Sequence, residues 1–147
     1  MQIEVDQSGK IEQTNTDTIV ALSNDISYTV RLHRKDKRVL KSYFRATHVQ
    51  GRSRYRVFAA VVAILLAQVK PSTGILLDNE YKGHEHFIRQ HIMQYVQLLG
   101  ITQSIPLHIG TIRQGSAADL LAGKVGAGVM APNYTVKIAE VLMLLQT

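Results

Sequence analysis

The sequence predicts one α/β domain, residues 1–147, with a mixed sheet of about five strands and helices on both faces. Three β-rich runs near the start, separated by short turn-forming stretches, predict an antiparallel arrangement. The second half alternates strand-like and helix-like patterns, which implies parallel pairing there. Hydrophobic residues make up 46% of the chain and charged residues 19%, enough to build a single buried core.

The three front strands are predicted at residues 3–6, 18–22 and 26–30. The first run alternates apolar and polar residues and stops at Gln7-Ser8-Gly9, a typical turn cluster. Ser23-Asn24-Asp25, between the second and third runs, is short enough to close a hairpin.

A basic helical insertion at about 33–52 follows, with helical potential over 35–47 and a break near Gly51. Residues 57–69 are apolar almost all round, which predicts a buried helix that ends before Pro71. The remaining elements are predicted as a strand at 75–78, a helix ending near Gly100, a strand at 105–112, a helix from Ser116, and an extra C-terminal helix at about 133–146 that Asn133 caps.

Composition excludes several classes of protein. Without any cysteine the chain has no disulfide framework, thiolate zinc site or thiol nucleophile. The longest apolar run, residues 57–67, is shorter than the ~20 residues that cross a bilayer. The first residues lack the basic-then-apolar pattern of an export signal, so we expect a cytoplasmic protein without membrane contact.

The positive charge is concentrated in one segment. Residues 31–56 hold ten of the 17 lysines and arginines and only one acid, Asp36, so the rest of the chain is mildly acidic. Such a segment favours binding to a polyanion, because charged faces that are merely solvated normally mix both signs. Tyr43, Phe44 and Tyr55 could add stacking on bases. We therefore predict nucleic acid, RNA or DNA, as the partner, bound by Arg34, Lys35, Arg38, Lys41, Arg45, Arg52, Arg54 and Arg56.

Three of the eleven acids stand where a sheet could bring them together. Asp6 ends the first strand, Asp78 ends the fourth, and Asp119 lies in the first turn of the helix after the last strand. Clustered carboxylates repel one another unless cations intervene, and such hard oxygen ligands suit Mg²⁺ or Mn²⁺. The sequence therefore predicts a metal site at these three residues.

The chain resembles the ribonuclease H-like superfamily over residues 1 to about 126. Residues 53–67 are similar to the family's central helix, and three local strings match its acidic motifs: VDQSG at 5–9, DNEY at 78–81 and SAADLLA at 116–122. The resemblance implies two-metal hydrolysis of phosphodiesters, with Asp6, Asp78 and Asp119 as catalytic metal ligands. The family also places a glutamate near the start of the central helix, where this chain has Arg56. Glu80 is the best substitute and is counted among the catalytic residues, with Glu85 as second choice.

Arg56 leaves more than one function open. The first hypothesis is a metal-dependent nuclease or related phosphodiester-processing enzyme. The alternatives are a non-catalytic nucleic-acid-binding module of the same fold, and a protein-interaction domain whose apolar last helix forms a homodimer contact.

The acidic residues have structural alternatives of their own. Asp6 could open a turn, and Asp119 could cap its helix together with Ser116. His84, His86 and His91 lack the spacing of a helical metal pair, and His108 is either a strand residue or a proton shuttle.

Overall fold

The computed structural model describes residues 2–46 and 51–147 and has an α/β architecture with a six-stranded mixed sheet and five helices. The strands are β1 (Ile3–Ser8), β2 (Thr18–Ser23), β3 (Tyr28–Leu32), β4 (Ile75–Asp78), β5 (Leu107–Gly110) and β6 (Tyr134–Thr135). The helices are α1 (Arg34–Ala46), α2 (Ser53–Val69), α3 (Glu85–Leu98), α4 (Ala117–Gly126) and α5 (Ile138–Leu145).

The strands lie in the order β5-β4-β1-β2-β3-β6. Strands β1, β2 and β3 form the predicted antiparallel meander, while β4 runs parallel to β1 and β5 parallel to β4. The two halves of the chain therefore meet where β1 pairs with β4, in the middle of the sheet.

The sixth strand corrects the predicted C-terminal helix at 133–146, since the helix begins only at Ile138 and Lys137 precedes it. Asn133 does not cap that helix, because its Oδ1 accepts the N–H of Thr29 at 2.9 Å on the edge strand β3. Tyr134 then pairs with Val30, and these residues extend the sheet. The open edge of β3 offers backbone hydrogen bonds to residues 133–135, so this segment contains β6 and not the start of a helix.

Helices cover both faces of the sheet, as predicted. Along β2, Val20 and Leu22 belong to the main core with α2, α3 and α5, whereas Ile19 and Ala21 pack with α4 on the other face. Alternate residues of a strand point to opposite faces, so one apolar strand serves two layers.

The central helix α2 is buried over most of its length, and it begins at Ser53, four residues before the predicted 57. It ends at Lys70, whose left-handed conformation (φ 51°) and N–H bond to the Leu66 carbonyl stop the helix before Pro71. Helix α1 occupies the predicted basic insertion, and the predicted end of that helix at residue 47 lies outside the described residues. None of the described helices has the length and apolar character needed to cross a membrane.

The apolar side of α5 faces the core, where Val141, Leu144 and Leu145 are buried against α2. Met143 is the large apolar side chain of this helix that is left strongly exposed, at 57%. Little apolar surface of this helix is left for a homodimer contact, which stays a prediction.

Candidate metal centre

The first two acids of the candidate centre are brought together by strand pairing. In the parallel pair β1–β4, Val5 lies level with Leu77, so Asp78, the last residue of β4, stands beside Asp6. Asp6 does not end its strand as predicted, because β1 continues to Ser8 through pairing with β2. Parallel pairing puts like ends of strands at the same edge of a sheet. This is the juxtaposition that the strand positions predicted.

A third carboxylate, from Glu80, completes the group. One oxygen from each of Asp6, Asp78 and Glu80 can be chosen so that all lie within 4.8 Å of one another. A tight turn after β4, in which the Glu80 N–H donates to the Asp78 carbonyl at 3.1 Å, carries the glutamate back toward the strand end. Within residues 2–46 and 51–147, these three form the one group of metal-ligating side chains with such spacing.

Backbone N–H groups hold two of the carboxylates in place. The Oδ1 atom of Asp6 accepts the N–H of Gln7 at 2.8 Å, and the Oδ1 atom of Asp78 accepts the N–H of Ile112 at 2.8 Å. Ile112 follows β5, so the neighbouring strand orients Asp78. Each aspartate keeps a second carboxylate oxygen for another partner.

Burial and mutual repulsion change the charge state of this group. Asp6 is only 6% exposed, and this burial, together with the charges of Asp78 and Asp119, raises the pKa of Asp6 to about 6 despite the hydrogen bond from Gln7. Burial and the adjacent Asp78 likewise raise the pKa of Glu80 to about 7, with Asp6 adding to the effect and Lys10 opposing it. The carboxylates therefore need either protons or a cation to lie this close.

The donor chemistry fits a divalent ion. Three carboxylates supply only hard oxygen ligands, which Mg²⁺ and Mn²⁺ prefer, and they supply more negative charge than the single nearby ammonium of Lys10 can offset. A cation held at this point would relieve the repulsion that otherwise keeps protons on Asp6 and Glu80.

Asp119 lies outside this group of three, although its charge is close enough to raise the pKa of Asp6. Its Oδ2 atom accepts the N–H of Gly115 at 2.8 Å, and its own N–H donates to the Ser116 Oγ at 3.3 Å. The Ser116 hydroxyl therefore caps the helix, and the Asp119 carboxylate bonds to the residue before the cap, which is close to the capping alternative that the sequence left open. The capping interaction is present, and the metal-ligand role of Asp119 stays a prediction.

Arg56 does not enter the carboxylate group. Its Nε donates to the Tyr95 hydroxyl at 3.0 Å and its Nη2 donates to the Leu145 carbonyl at 2.7 Å, at the last turn of α5. The guanidinium therefore joins α2, α3 and α5. It neither blocks the gap between the carboxylates nor stands with the exposed cations.

The other seven predicted nucleic-acid-binding cations are exposed: Arg34, Lys35, Arg38, Lys41, Arg45, Arg52 and Arg54. Four of them, Arg34, Arg38, Lys41 and Arg45, recur at helical spacing and form a stripe along α1. Arg34 also bonds to Asp17, its Nη1 lying 3.4 Å from the Oδ1. The stripe has the charge and exposure that contacts to a phosphate backbone require.

Two of the three aromatic side chains expected to stack on bases are not available at the surface. Phe44 is 6% exposed and Tyr55 is 5% exposed, both within the main core. Tyr55 stacks on His84, with ring centroids 4.0 Å apart, so this histidine has a packing role. Apolar aromatic rings next to a basic helix are drawn into the core when the helix packs on the domain.

Sequence reasoning did not single out Lys37, whose side chain is only 2% exposed. Its Nζ donates to the carbonyls of Lys10 and Gln13, at 3.1 and 2.6 Å, and to the Thr18 Oγ1 at 3.0 Å. Burial lowers the pKa of Lys37 to about 8, with Asp17 and Glu12 opposing the shift. The spacing of the sequence could have indicated that Lys37 is buried, since Lys37 shares one helix face with the buried Leu40 and Phe44.

Comparisons of the chain with protein-family models, with curated proteins and with solved structures found no match. The function is therefore argued from the chemistry and geometry of this chain alone.

Proposed function

We propose that this chain is a divalent-metal-dependent enzyme of the ribonuclease H-like superfamily that cleaves phosphodiester bonds in nucleic acid. The observation that carries the proposal is the convergence of Asp6, Asp78 and Glu80, with ligand atoms within 4.8 Å, where the end of β4 lies beside β1. An antiparallel meander followed by parallel strands supports the fold assignment.

Asp6, Asp78 and Glu80 would hold Mg²⁺ or Mn²⁺, and Asp119 is near enough to contribute charge or a ligand. When bound, the metal supplies activation of a water and stabilisation of the leaving oxygen, which two ions do best. The chain itself orients the ligands through the N–H groups of Gln7 and Ile112. Because burial and mutual repulsion raise the pKa values of Asp6 and Glu80 without metal, binding of the ion would release protons from these carboxylates.

The exposed cations of α1 and of the start of α2 would hold the phosphate backbone. Helix α1 is tied to the loop after β1 through the Lys37 ammonium, which bonds to the Lys10 carbonyl. The positive charge of Lys10 in turn opposes the rise in the pKa of Glu80. A polyanion lying on α1 is therefore one loop away from the carboxylates.

Metal-dependent cleavage of labelled nucleic acids by wild type and by Asp78→Asn tests the proposal. Asparagine preserves the bond from the Ile112 N–H but removes one charged ligand, so we expect cleavage to fall at least about 100-fold. Asp25→Asn is the matched control, because Asp25 is exposed in the β2–β3 turn at φ 68°, where asparagine is favoured. Absence of cleavage with any divalent ion, or equal cleavage by Asp78→Asn, would contradict the enzyme.

A non-catalytic nucleic-acid-binding module of the same fold is the second candidate. It is favoured by the substitution of Arg56 for the family's glutamate and by the use of the Asp119 carboxylate in a helix cap. Salt-sensitive binding without cleavage, unchanged in Asp78→Asn, is the result that this candidate predicts.

A further inference from the structure

A cavity of about 350 Å³ opens between α1, α2 and the loop that follows β1. This volume lies at the lower end of the range for ligand pockets, roughly 300–1,000 Å³, so the cavity suits one small planar group and not an extended molecule. It is separate from the carboxylate group, none of whose members lines it.

One wall of the cavity is apolar and firmly packed. It consists of Ile11, Leu40, Phe44 and Val57, each at most 6% exposed and each part of the main core. These side chains come from a loop and two helices, so the wall is fixed by the fold itself. Phe44 is not available for stacking at the outer surface, but the apolar wall to which it contributes can contact the flat face of a nucleobase that enters the cavity.

The remaining wall is polar and carries both signs of charge. Lys41 and Arg54, both exposed, come from α1 and α2, and Glu12 comes from the loop after β1. The Arg54 Nη2 also donates to the Tyr55 hydroxyl at 2.9 Å, which leaves its other N–H groups for a ligand. Lys37 also lines the cavity, but its ammonium already makes three hydrogen bonds within the protein. Lys41 and Arg54 can therefore bind a phosphate, while Glu12 can accept N–H groups from the edge of a base.

The cavity adjoins both regions that the proposed function uses. Lys41 belongs to the exposed stripe of α1, and the loop carrying Ile11 and Glu12 also carries Lys10, which acts on Glu80. A strand whose phosphates contact Lys41 on the stripe therefore also reaches the cavity that Lys41 lines.

We propose that this cavity is a subsite for one unpaired nucleotide of a nucleic-acid strand, which makes single-stranded or locally opened nucleic acid the substrate class. The inference rests on the proposed binding of nucleic acid, though not on cleavage. In a duplex both faces of a base are stacked and its edge is paired, so only an unpaired or displaced base can present a face to the apolar wall.

Binding measured by fluorescence anisotropy in EDTA, without divalent ions, tests the inference apart from catalysis. The probes are a single strand, its duplex, and a fully abasic strand of equal length and charge. We expect the intact single strand to bind at least about fivefold more tightly than either other probe, because stacking adds to backbone attraction. Equal affinity for the intact and abasic strands would overturn the inference.

Two matched pairs of variants locate the binding at the cavity. Ser53→Leu narrows the cavity with aliphatic bulk, whereas Ser42→Leu adds the same bulk to exposed α1 outside it. Lys41→Gln removes a charge that lines the cavity, and Arg38→Gln removes one from the same stripe outside the cavity. We expect Ser53→Leu to abolish the preference for the intact strand and Lys41→Gln to weaken binding several-fold more than Arg38→Gln. Equal effects within each pair would overturn the inference.

The outcomes separate this inference from the proposed enzyme. Cleavage that depends on Mg²⁺ and on Asp78, together with equal binding of intact and abasic strands, leaves the enzyme and removes the subsite. A preference for the intact strand that Ser53→Leu abolishes, without cleavage under any ion, supports the subsite and removes the enzyme. Absence of binding to every probe in EDTA removes the subsite, and the metal-dependent cleavage assay alone then decides the enzyme.

Discussion

The carboxylate group and the basic stripe of α1 carry opposite charges and are built in opposite ways. Asp6 and Asp78 are far apart in the sequence and meet through the pairing of β1 with β4, where Asp6 is 6% exposed. The stripe is local, with Arg34, Arg38 and Lys41 recurring along one exposed helix face. Repulsion in the buried group is strong and demands a proton or a cation, whereas water and salt screen the stripe.

Lys37 belongs to the basic segment of the sequence, but its side chain is buried like those of the carboxylate group. It is 2% exposed, and burial lowers its pKa to about 8, whereas the neighbouring cations on the same helix are exposed. Position on the helix, and not residue type, therefore decides which charges interact strongly with the protein and which interact with solvent.

The largest expected effect concerns the pH dependence of stability. Asp6 and Glu80 bind protons more tightly in the folded than in the unfolded chain, since their pKa values rise to about 6 and about 7. The folded protein then holds more protons between pH ~4 and ~7, so the free energy of unfolding falls as the pH rises across this interval. Urea unfolding at pH 5 and pH 8, without metal, measures it.

Two comparisons isolate that effect. Mg²⁺ should raise the melting temperature more at pH 8 than at pH 5, because protons compete with the ion for the same oxygens. Asp78→Asn should reduce the pH dependence without abolishing it, since burial still raises both pKa values but the added repulsion from the Asp78 charge is gone. If the free energy of unfolding changed equally from pH 5 to pH 8 in wild type and in Asp78→Asn, the carboxylates would not interact.

The next effect tests the buried lysine against an exposed one. Lys37→Met leaves the Gln13 carbonyl and the Thr18 hydroxyl without their buried donor, and the cost of burying the ammonium offsets part of the loss. We expect the free energy of unfolding to fall by about 1–2 kcal/mol. Lys35→Met, at an exposed position of the same helix, should change it by less than about 0.5 kcal/mol. Equal changes in the free energy of unfolding would show that the hydrogen bonds of Lys37 contribute no more to stability than an exposed lysine does.

Predictability from sequence follows the same division between local and long-range structure. The meander, the buried α2 and the meeting of Asp6 with Asp78 followed from local apolar patterns and from the rule that parallel strands align their carboxyl ends. The group of three could be proposed because Glu80 lies two residues after Asp78.

The features that sequence reasoning missed depend on partners remote in the chain. Strand β6 forms because Asn133 bonds to Thr29 on an open sheet edge, which no local pattern around residue 133 indicates. Arg56 is taken up by Tyr95 and the end of α5, so its position in the sequence did not reveal its role. The aromatic rings of the basic segment were predicted at the surface because composition alone does not indicate which face of a helix packs.

The smallest expected effect concerns Asp119, which stands between the capped helix start and the carboxylate group. Asp119→Asn keeps an oxygen for the Gly115 N–H and removes the charge that raises the pKa of Asp6. We expect Mg²⁺ affinity, measured by calorimetry, to fall only several-fold, against the near-complete loss in Asp78→Asn. Ser116→Ala removes the other half of the cap and should cost about 1 kcal/mol of stability with unchanged Mg²⁺ affinity. Loss of Mg²⁺ binding in Asp119→Asn as complete as in Asp78→Asn would instead make Asp119 a ligand, and the cap would then serve to orient it.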